Sequence, residues 1–285
     1  MKNILVPYDF SDFADHALNF AIEVADKSNG EITIFHVVEH PVTGTFNTTL
    51  ELGATNVEDD IFTIELLKST EKRMHEIAAS KSNNSVVIKS QIRIGKAFES
   101  IAEEITKSKV DLVIMGTKGS SGLEEMLVGS NAEKVVRFGK CPVITIPEAL
   151  KIDTIKNIAF ATNFEDDQDK IIDVLKEYQK LFNARINLVW INTFQVNQNE
   201  DMIRNNLQET AQRNNLENYE IFTHMALKPE EGIVHFATQK NMDMIAMATH
   251  GHRGLLHLLI GSIAEDVVNH SPKPVWTLST KSISK

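Results

Sequence analysis

The stretch at residues 116–130, GTKGSSGLEEMLVGS, returns 132 positions later as residues 248–262, ATHGHRGLLHLLIGS. Working outward, the same offset lays Asp111 on Asp243, Met115 on Met247, Thr117 on Thr249 and Gly119 on Gly251. It continues without a gap through Gly122 and Gly254, Gly129 and Gly261, Ser130 and Ser262, Glu133 and Glu265, and Pro142 and Pro274. Self-similarity held at one offset over such a run marks a duplicated unit. The expected division is a first domain over 1–150 and a second over 151–285, with a join near the polar stretch Glu148 to Lys156.

Each half alternates strand-like and helix-like pieces, the pattern of a parallel sheet covered by helices on both faces. In the first half Asn3 to Tyr8 reads as a strand, and Ser11 to Asn29 as a helix with Phe13, Ala14, Ala17, Leu18, Ala21, Ile22 and Ala25 at helical spacing. Ser11 or Asp12 is the expected cap, with Gly30 just past the end. Further strands are expected at Ile32 to Val38, Ser85 to Ile94, Val110 to Met115 and Pro142 to Ile146, and helices near Ile61 to Lys81, Ala97 to Ser108 and Ser130 to Phe138. The second half repeats the order, with strands near Asn157 to Ala161, Arg185 to Ile191, Tyr219 to Ala226, Met242 to Met247 and Val275 to Leu278. Right-handed crossovers leave few ways to arrange five such strands. The expected fold class is α/β: two tandem doubly wound five-stranded parallel sheets, Rossmann-like, each in the order 3-2-1-4-5. The first half alone inserts Val42 to Asp60, a loop long enough to serve as a lid or partner arm, or simply to be mobile.

Composition narrows the function. Charged or polar residues interrupt every apolar run short of the roughly 20 residues a membrane span needs, and no apolar leader opens the chain. The expectation is a soluble, cytoplasmic protein. Its single cysteine, Cys141, precludes an internal disulfide and, set before Pro142 and an apolar run, is expected to be buried. A net charge of -10 argues against a general nucleic-acid or anionic-membrane surface, since both partners bind through clustered Lys and Arg. A phosphate ligand would have to be held locally.

In open α/β sheets ligands bind outside the carboxyl ends of the strands where the strand order reverses, here between strands one and four. Asp9 follows the first of these, and Gly116, Gly119, Gly129 and Ser130 follow the other. Glycine permits positive φ and lets backbone N–H groups approach an anion with no Cβ in the way. A helix opening at Gly129 and Ser130 would offer phosphate its unpaired N–H groups and the positive end of its dipole. Taken alone, turn-making glycines and a capping serine account for the same pattern. The spacing is neither that of a P-loop nor that of a dinucleotide fingerprint.

These residues resemble the universal stress protein family, and the likeness runs along nearly the whole chain as two tandem copies. Its nucleotide-binding members carry glycine, two residues, glycine, nine residues, then glycine followed by serine or threonine, a pattern that Gly116, Gly119, Gly129 and Ser130 match. VPYDFS, FHVVE and CPVITIP are similar to the family as well. The resemblance implies an ATP site, with or without Mg²⁺. Asp9 and the Val37 backbone would lie by adenine and ribose, Gly116, Gly119, Gly129 and Ser130 on the phosphates, and Lys118 would stand where many relatives have histidine. It also implies a cytoplasmic stress role, an unidentified protein partner, and terminal strands that pair two such domains, within this chain as a pseudo-dimer or between chains as a homodimer. The second half departs from the pattern where Ala248 replaces the first glycine and Asn163 replaces the acidic residue. One nucleotide per chain, in the first half, is the resulting expectation.

Other clusters weigh less. His250, His252 and His257 lack a third ligand at zinc-like spacing, and Glu165, Asp166, Asp167 and Asp169 suit the start of a helix better than a cation site. The Met-rich strand MDMIAMAT reads as core. No Ser, His and acid set suggests a hydrolase. The leading expectation is a nucleotide-binding regulator that is not an enzyme. The alternatives are a slow ATPase or phosphotransferase at the same site, and a scaffold that binds no nucleotide.

Overall fold

The computed structural model of the chain describes residues 1–39, 57–117, 119, 129–162, 168–194, 198–249 and 263–282, except for the side chains of 57–62 and 281. The first half runs β1 (Asn3–Pro7), α1 (Asp12–Ser28), β2 (Glu31–Val38), α2 (Val57–Lys81), β3 (Ile88–Ile94), α3 (Ala97–Lys107), β4 (Leu112–Gly116), α4 (Ser130–Phe138) and β5 (Val143–Ile146). The second repeats it as β6 (Asn157–Ala161), α5 (Gln168–Phe182), β7 (Arg185–Thr193), α6 (Glu200–Arg213), β8 (Tyr219–Ala226), α7 (Pro229–Gln239), β9 (Met244–Thr249), α8 (Ile263–His270) and β10 (Val275–Ser279).

Among the described residues the strands form one ten-stranded sheet in the order β3-β2-β1-β4-β5-β10-β9-β6-β7-β8. Each half is thus the expected 3-2-1-4-5 arrangement, with parallel neighbours throughout. The halves meet where β5 and β10 pair antiparallel, Val275 opposite Thr145, Trp276 opposite Ile144 and Thr277 opposite Val143. Two hydroxyls 132 positions apart reach across this seam reciprocally: Thr145 Oγ1 donates to Val275 O (3.4 Å) and Thr277 Oγ1 to Val143 O (3.5 Å).

A sheet covered on both faces needs strands that are apolar on both sides. Ile4, Val6 and Ile114 enter the layer under α1, with Leu18 and Phe20, while Leu5, Val113 and Met115 enter the opposite layer with Ile101 and Val135. Both layers run on into the second half. On one face Phe20 packs against Phe182 (6.3 Å between centroids) and Tyr178 against Trp276 (5.5 Å). On the other, α4 meets α8 through Arg137 to Glu265 (3.1 Å) and Asn269 to Glu133 (3.1 Å). Met242, Met244 and Met247 are core. Cys141 is buried too, and desolvation, with the Asp111 charge second, pushes its thiol up to about 12, so it stays protonated and inert.

Local details refine the element ends. Ser11 caps α1, its side chain accepting from Ala14 N, and Asp12 and Asp15 sit at the positive end of the helix dipole. At the other end the left-handed turn belongs to Asn29 (φ 50°) rather than Gly30, an asparagine being able to bond locally and tolerate that backbone. Helix α2 starts at Val57 instead of Ile61, so the last four residues of the expected 42–60 loop are helical, and residues 42–56 lie outside the described residues. Strand β3 begins at Ile88 because Asn83 Oδ1 accepts from Ser85 N and Val86 N (both 2.8 Å), which holds that stretch in a turn. No helix among the described residues is long and apolar enough to cross a membrane.

Candidate functional site

At the carboxyl ends of β1 and β4, where the strand order reverses, lies a cleft of about 400 Å³. Asp9, Val37, Gly116, Gly119, Gly129 and Ser130 all line it, together with Tyr8, Ala14, Phe35, Glu39 and Ile101. These residues come from five separate parts of the chain, and the sheet topology brings them together. Lys118 lies outside the described residues.

Helix α4 opens on this cleft with Gly129 as its N-cap, one residue earlier than a capping Ser130 would place it. The Ala132 and Glu133 amides both turn back to Gly129 O (2.8 and 3.2 Å). Those of Ser130 and Asn131 belong to the first turn, where no intrahelical acceptor exists, and both residues line the cavity. Gly129 itself is anchored by its N–H to Thr117 O (2.8 Å). Among the described residues, a Cβ built on it would find its nearest neighbours at 3.8 and 3.9 Å, ordinary van der Waals contact without strain.

Gly116 requires a correction. The expected reasons for glycine were positive φ and open access for an anion, yet Gly116 is a strand residue and Gly129 has φ -62°. What excludes a side chain at 116 is the start of α1: a Cβ there would stand 2.7 to 2.9 Å from the Cβ, carbonyl carbon and carbonyl oxygen of Phe13. Gly116 lets the strand end and the helix start close on each other. The same correction reaches Ala248, which sits in β9 and carries no left-handed strain. At Gly119 a Cβ would lie 2.9 Å from Asp9 Oδ2, so the Asp9 carboxylate abuts the glycine turn instead of standing apart from it. Its other oxygen accepts from Ser11 N (3.1 Å) and Ser11 Oγ (2.6 Å).

Three contributors escaped the sequence reading. Glu39 reaches from the end of β2 to accept from Ala97 N (3.0 Å), capping α3, whose own N-cap Lys96 makes no side-chain capping bond. Tyr8 donates to Asp15, and burial followed by that carboxylate pushes its phenol above the usual range. Ala14, buried in the first turn of α1, leaves room for the cleft. Tyr8 and Glu39 fall within the family-like stretches VPYDFS and FHVVE, and the signal for Ala14 lies in the comparison of the two halves.

Strand register aligns them: Pro7 faces Phe35 as Ala161 faces Val189. Carrying that offset on puts Thr162 at the place of Tyr8 and Gln168 at the place of Ala14. Gln168 is buried, and Thr162 Oγ1 donates to its Oε1 at 3.4 Å. Asn163, Gly251, Gly261, Ser262, the three histidines 250, 252 and 257, and acidic residues 165–167 lie outside the described residues. Asp169 is in the first turn of α5, bonded to Arg213 (2.8 and 2.9 Å), whose hydrogen bond holds its carboxyl below the ordinary value. Among the described residues no group of three or more His, Cys, Asp or Glu side chains is placed to hold a metal ion.

A sequence profile of the universal stress protein family matches residues 1–147 and, a second time, residues 154–279. The chain belongs to the universal stress protein family. Universal stress protein Slr1230 of Synechocystis is 24% identical over 290 residues, spanning 97% of this chain and 99% of its own. Universal stress protein MJ0531 of Methanocaldococcus jannaschii is 31% identical over 156 residues, 53% of this chain and 84% of its own. Among solved structures, a universal stress protein from Archaeoglobus fulgidus superposes with a TM-score of 0.75 at 17% identity, covering 98% of each chain. At that identity the likeness speaks to the tandem α/β fold.

Proposed function

We propose that this universal stress protein binds one adenine nucleotide, ATP, in the cleft of its first half and acts as a nucleotide-responsive regulator. The observation that carries the reading is the convergence of Asp9, Val37, Gly116, Gly119, Gly129 and Ser130 on one cavity of a size suited to a small ligand. The base and sugar would lie against the ends of β1 and β2, with Phe35, Val37 and Ile101 giving an apolar wall. The phosphates would take the open side of Gly129, where the amides of the α4 start and its dipole favour negative charge. The Asp9 carboxylate beside Gly119 repels a bare phosphate chain, so ATP with Mg²⁺ suits this site better than ATP alone. In the second half, buried Gln168 takes up room that Ala14 leaves open in the first, which supports a single site per chain.

Gly129→Ala is the discriminating variant, because its methyl would make only ordinary contacts with the described residues and would enter the phosphate position in the complex. Calorimetry should show ATP binding to the wild type and a loss of at least about tenfold, ~1.4 kcal/mol, in the variant. The N-cap change itself should cost about 1 kcal/mol of stability or less. Equal affinity would remove α4 from the site. The carboxylate next to Gly119 also gives the slow-ATPase reading its one specific support. Phosphate release that persists in purified protein and disappears in Asp9→Asn would favour that reading over regulation by binding alone.

A further inference from the structure

Directly after Asp9 the backbone does something unusual. Phe10 has φ 66°, the left-handed region that a bulky L-residue enters only when its surroundings force it. Three groups surround its ring: the Arg73 guanidinium, 4.1 Å from the centroid, the His36 ring at 4.8 Å, and the near-perpendicular Tyr8 ring at 5.5 Å between centroids. His36 is itself fixed by a 2.7 Å bond between its Nδ1 and Tyr8 O. Tyr8 and His36 belong to the β1 and β2 ends that line the cleft, so their ring contacts are local. Arg73 is different, since it comes from α2, none of whose described side chains lines the cleft.

We infer that Arg73 is a positioning residue for the ligand cleft, acting through the Phe10 ring to hold the Asp9 turn in its left-handed form. In the structure Phe10 turns back under Arg73 and Asp9 points at Gly119, with Oδ1 bonded to Ser11 and Ser11 Oγ accepting from Ala14 N (3.2 Å). Without the cation over its ring, Phe10 has less reason to stay out of the ordinary right-handed or extended regions. Relaxing it swings Asp9 and loosens the Ser11 cap. By linkage, a ligand that needs Asp9 in place also favours the Arg73 contact, so cleft occupancy is communicated to α2. The ligand part of this inference rests on the nucleotide reading above, while the positioning part does not.

The test therefore has two arms, both on the full chain. In ligand-free protein, hydrogen exchange at the Ser11 and Ala14 amides should quicken about threefold or more in Arg73→Ala and return towards wild type in Arg73→Lys, which restores the cation. Unchanged exchange in Arg73→Ala overturns the inference whether or not a nucleotide binds. In the second arm ATP affinity should fall about fivefold in Arg73→Ala, and that fall should vanish in a Phe10→Gly background, where the turn is unstrained and has no ring to hold. A loss of the same size in both backgrounds would show that Arg73 acts some other way and would also overturn the inference. If wild type binds no ATP, the nucleotide reading fails and the exchange arm alone decides the role of Arg73.

Discussion

Where the first half carries Ala14 the second carries Gln168, and where the first carries Gly116 the second carries Ala248. Strand order, crossovers and core layers are the same in both. The difference is what the chain does with the space at the strand ends. The first half keeps a cleft open with small residues, and the second buries a glutamine bonded to Thr162 in the corresponding place. The second half also carries the heavier packing: Tyr178, Phe182 and Trp276 stand where register gives the first half Val24, Ser28 and Ile144. A duplicated fold can thus keep its strand order and core layers while the residues at its strand ends diverge.

The comparison breaks most visibly at the packed half. Trp276→Ala removes a fully buried indole from the seam and should destabilise the chain by about 3–5 kcal/mol in denaturant unfolding. A loss below ~1 kcal/mol would show that the aromatic cluster is not what holds the halves together. Next comes Gly116→Ala, whose methyl meets the backbone of Phe13 and should cost about 1–3 kcal/mol, whereas Ala248→Gly should change stability by less than ~1 kcal/mol. Equal effects at the two sites would mean that α1 and β4 can part freely. Because Gly116 is a packing residue, its variant is a poorer probe of ligand binding than Gly129→Ala. A smaller effect is expected from importing the second half's residue into the first: Ala14→Gln should weaken ATP by at least about tenfold, ~1.4 kcal/mol, while Gln168→Ala leaves that site unchanged.

The smallest effect concerns pH and the two edges of the sheet. Arg93 lies opposite Val37 in β3, and His224 lies opposite Ile191 in β8, the equivalent position. The first half joins Arg93 to Glu103 at 2.9 Å, and the second joins His224 Nε2 to His235 Nδ1 at 3.0 Å. Burial lowers the His224 pKa, with the His235 and Lys240 charges adding to it. A histidine harder to protonate in the folded state gives stability that is complete above its unfolded pKa of about 6.5 and is lost as pH falls through the lower folded value. Thermal unfolding followed from pH 8 down to pH 5 should therefore show a decline that is shallower in His224→Gln. An identical slope in the variant would assign the decline to other groups.

Much of this was legible in the residues. The duplication, the strand order and the surroundings of the cleft follow from apolar runs, turn residues and a repeated motif, all of them local or periodic signals. What stayed hidden were contacts between elements distant in sequence. Nothing in the spelling of GTKG says that its first glycine is there for Phe13, 103 positions earlier, because the clash exists only once β4 and α1 are packed. Nor does DFS announce a left-handed phenylalanine, since the Arg73 guanidinium that stands over its ring belongs to α2, far along the chain. Gln168 was visible as a letter, but its burial in the cleft's counterpart depends on the register of β6 against β7.

The central claim is that one half of the duplicated chain keeps a nucleotide site and the other does not. Isothermal titration of the full chain with Mg²⁺ and ATP tests it most directly, through the stoichiometry. A single site per chain that disappears in Gly129→Ala is the predicted result. Two sites per chain, or one site indifferent to Gly129, would contradict the division between the halves.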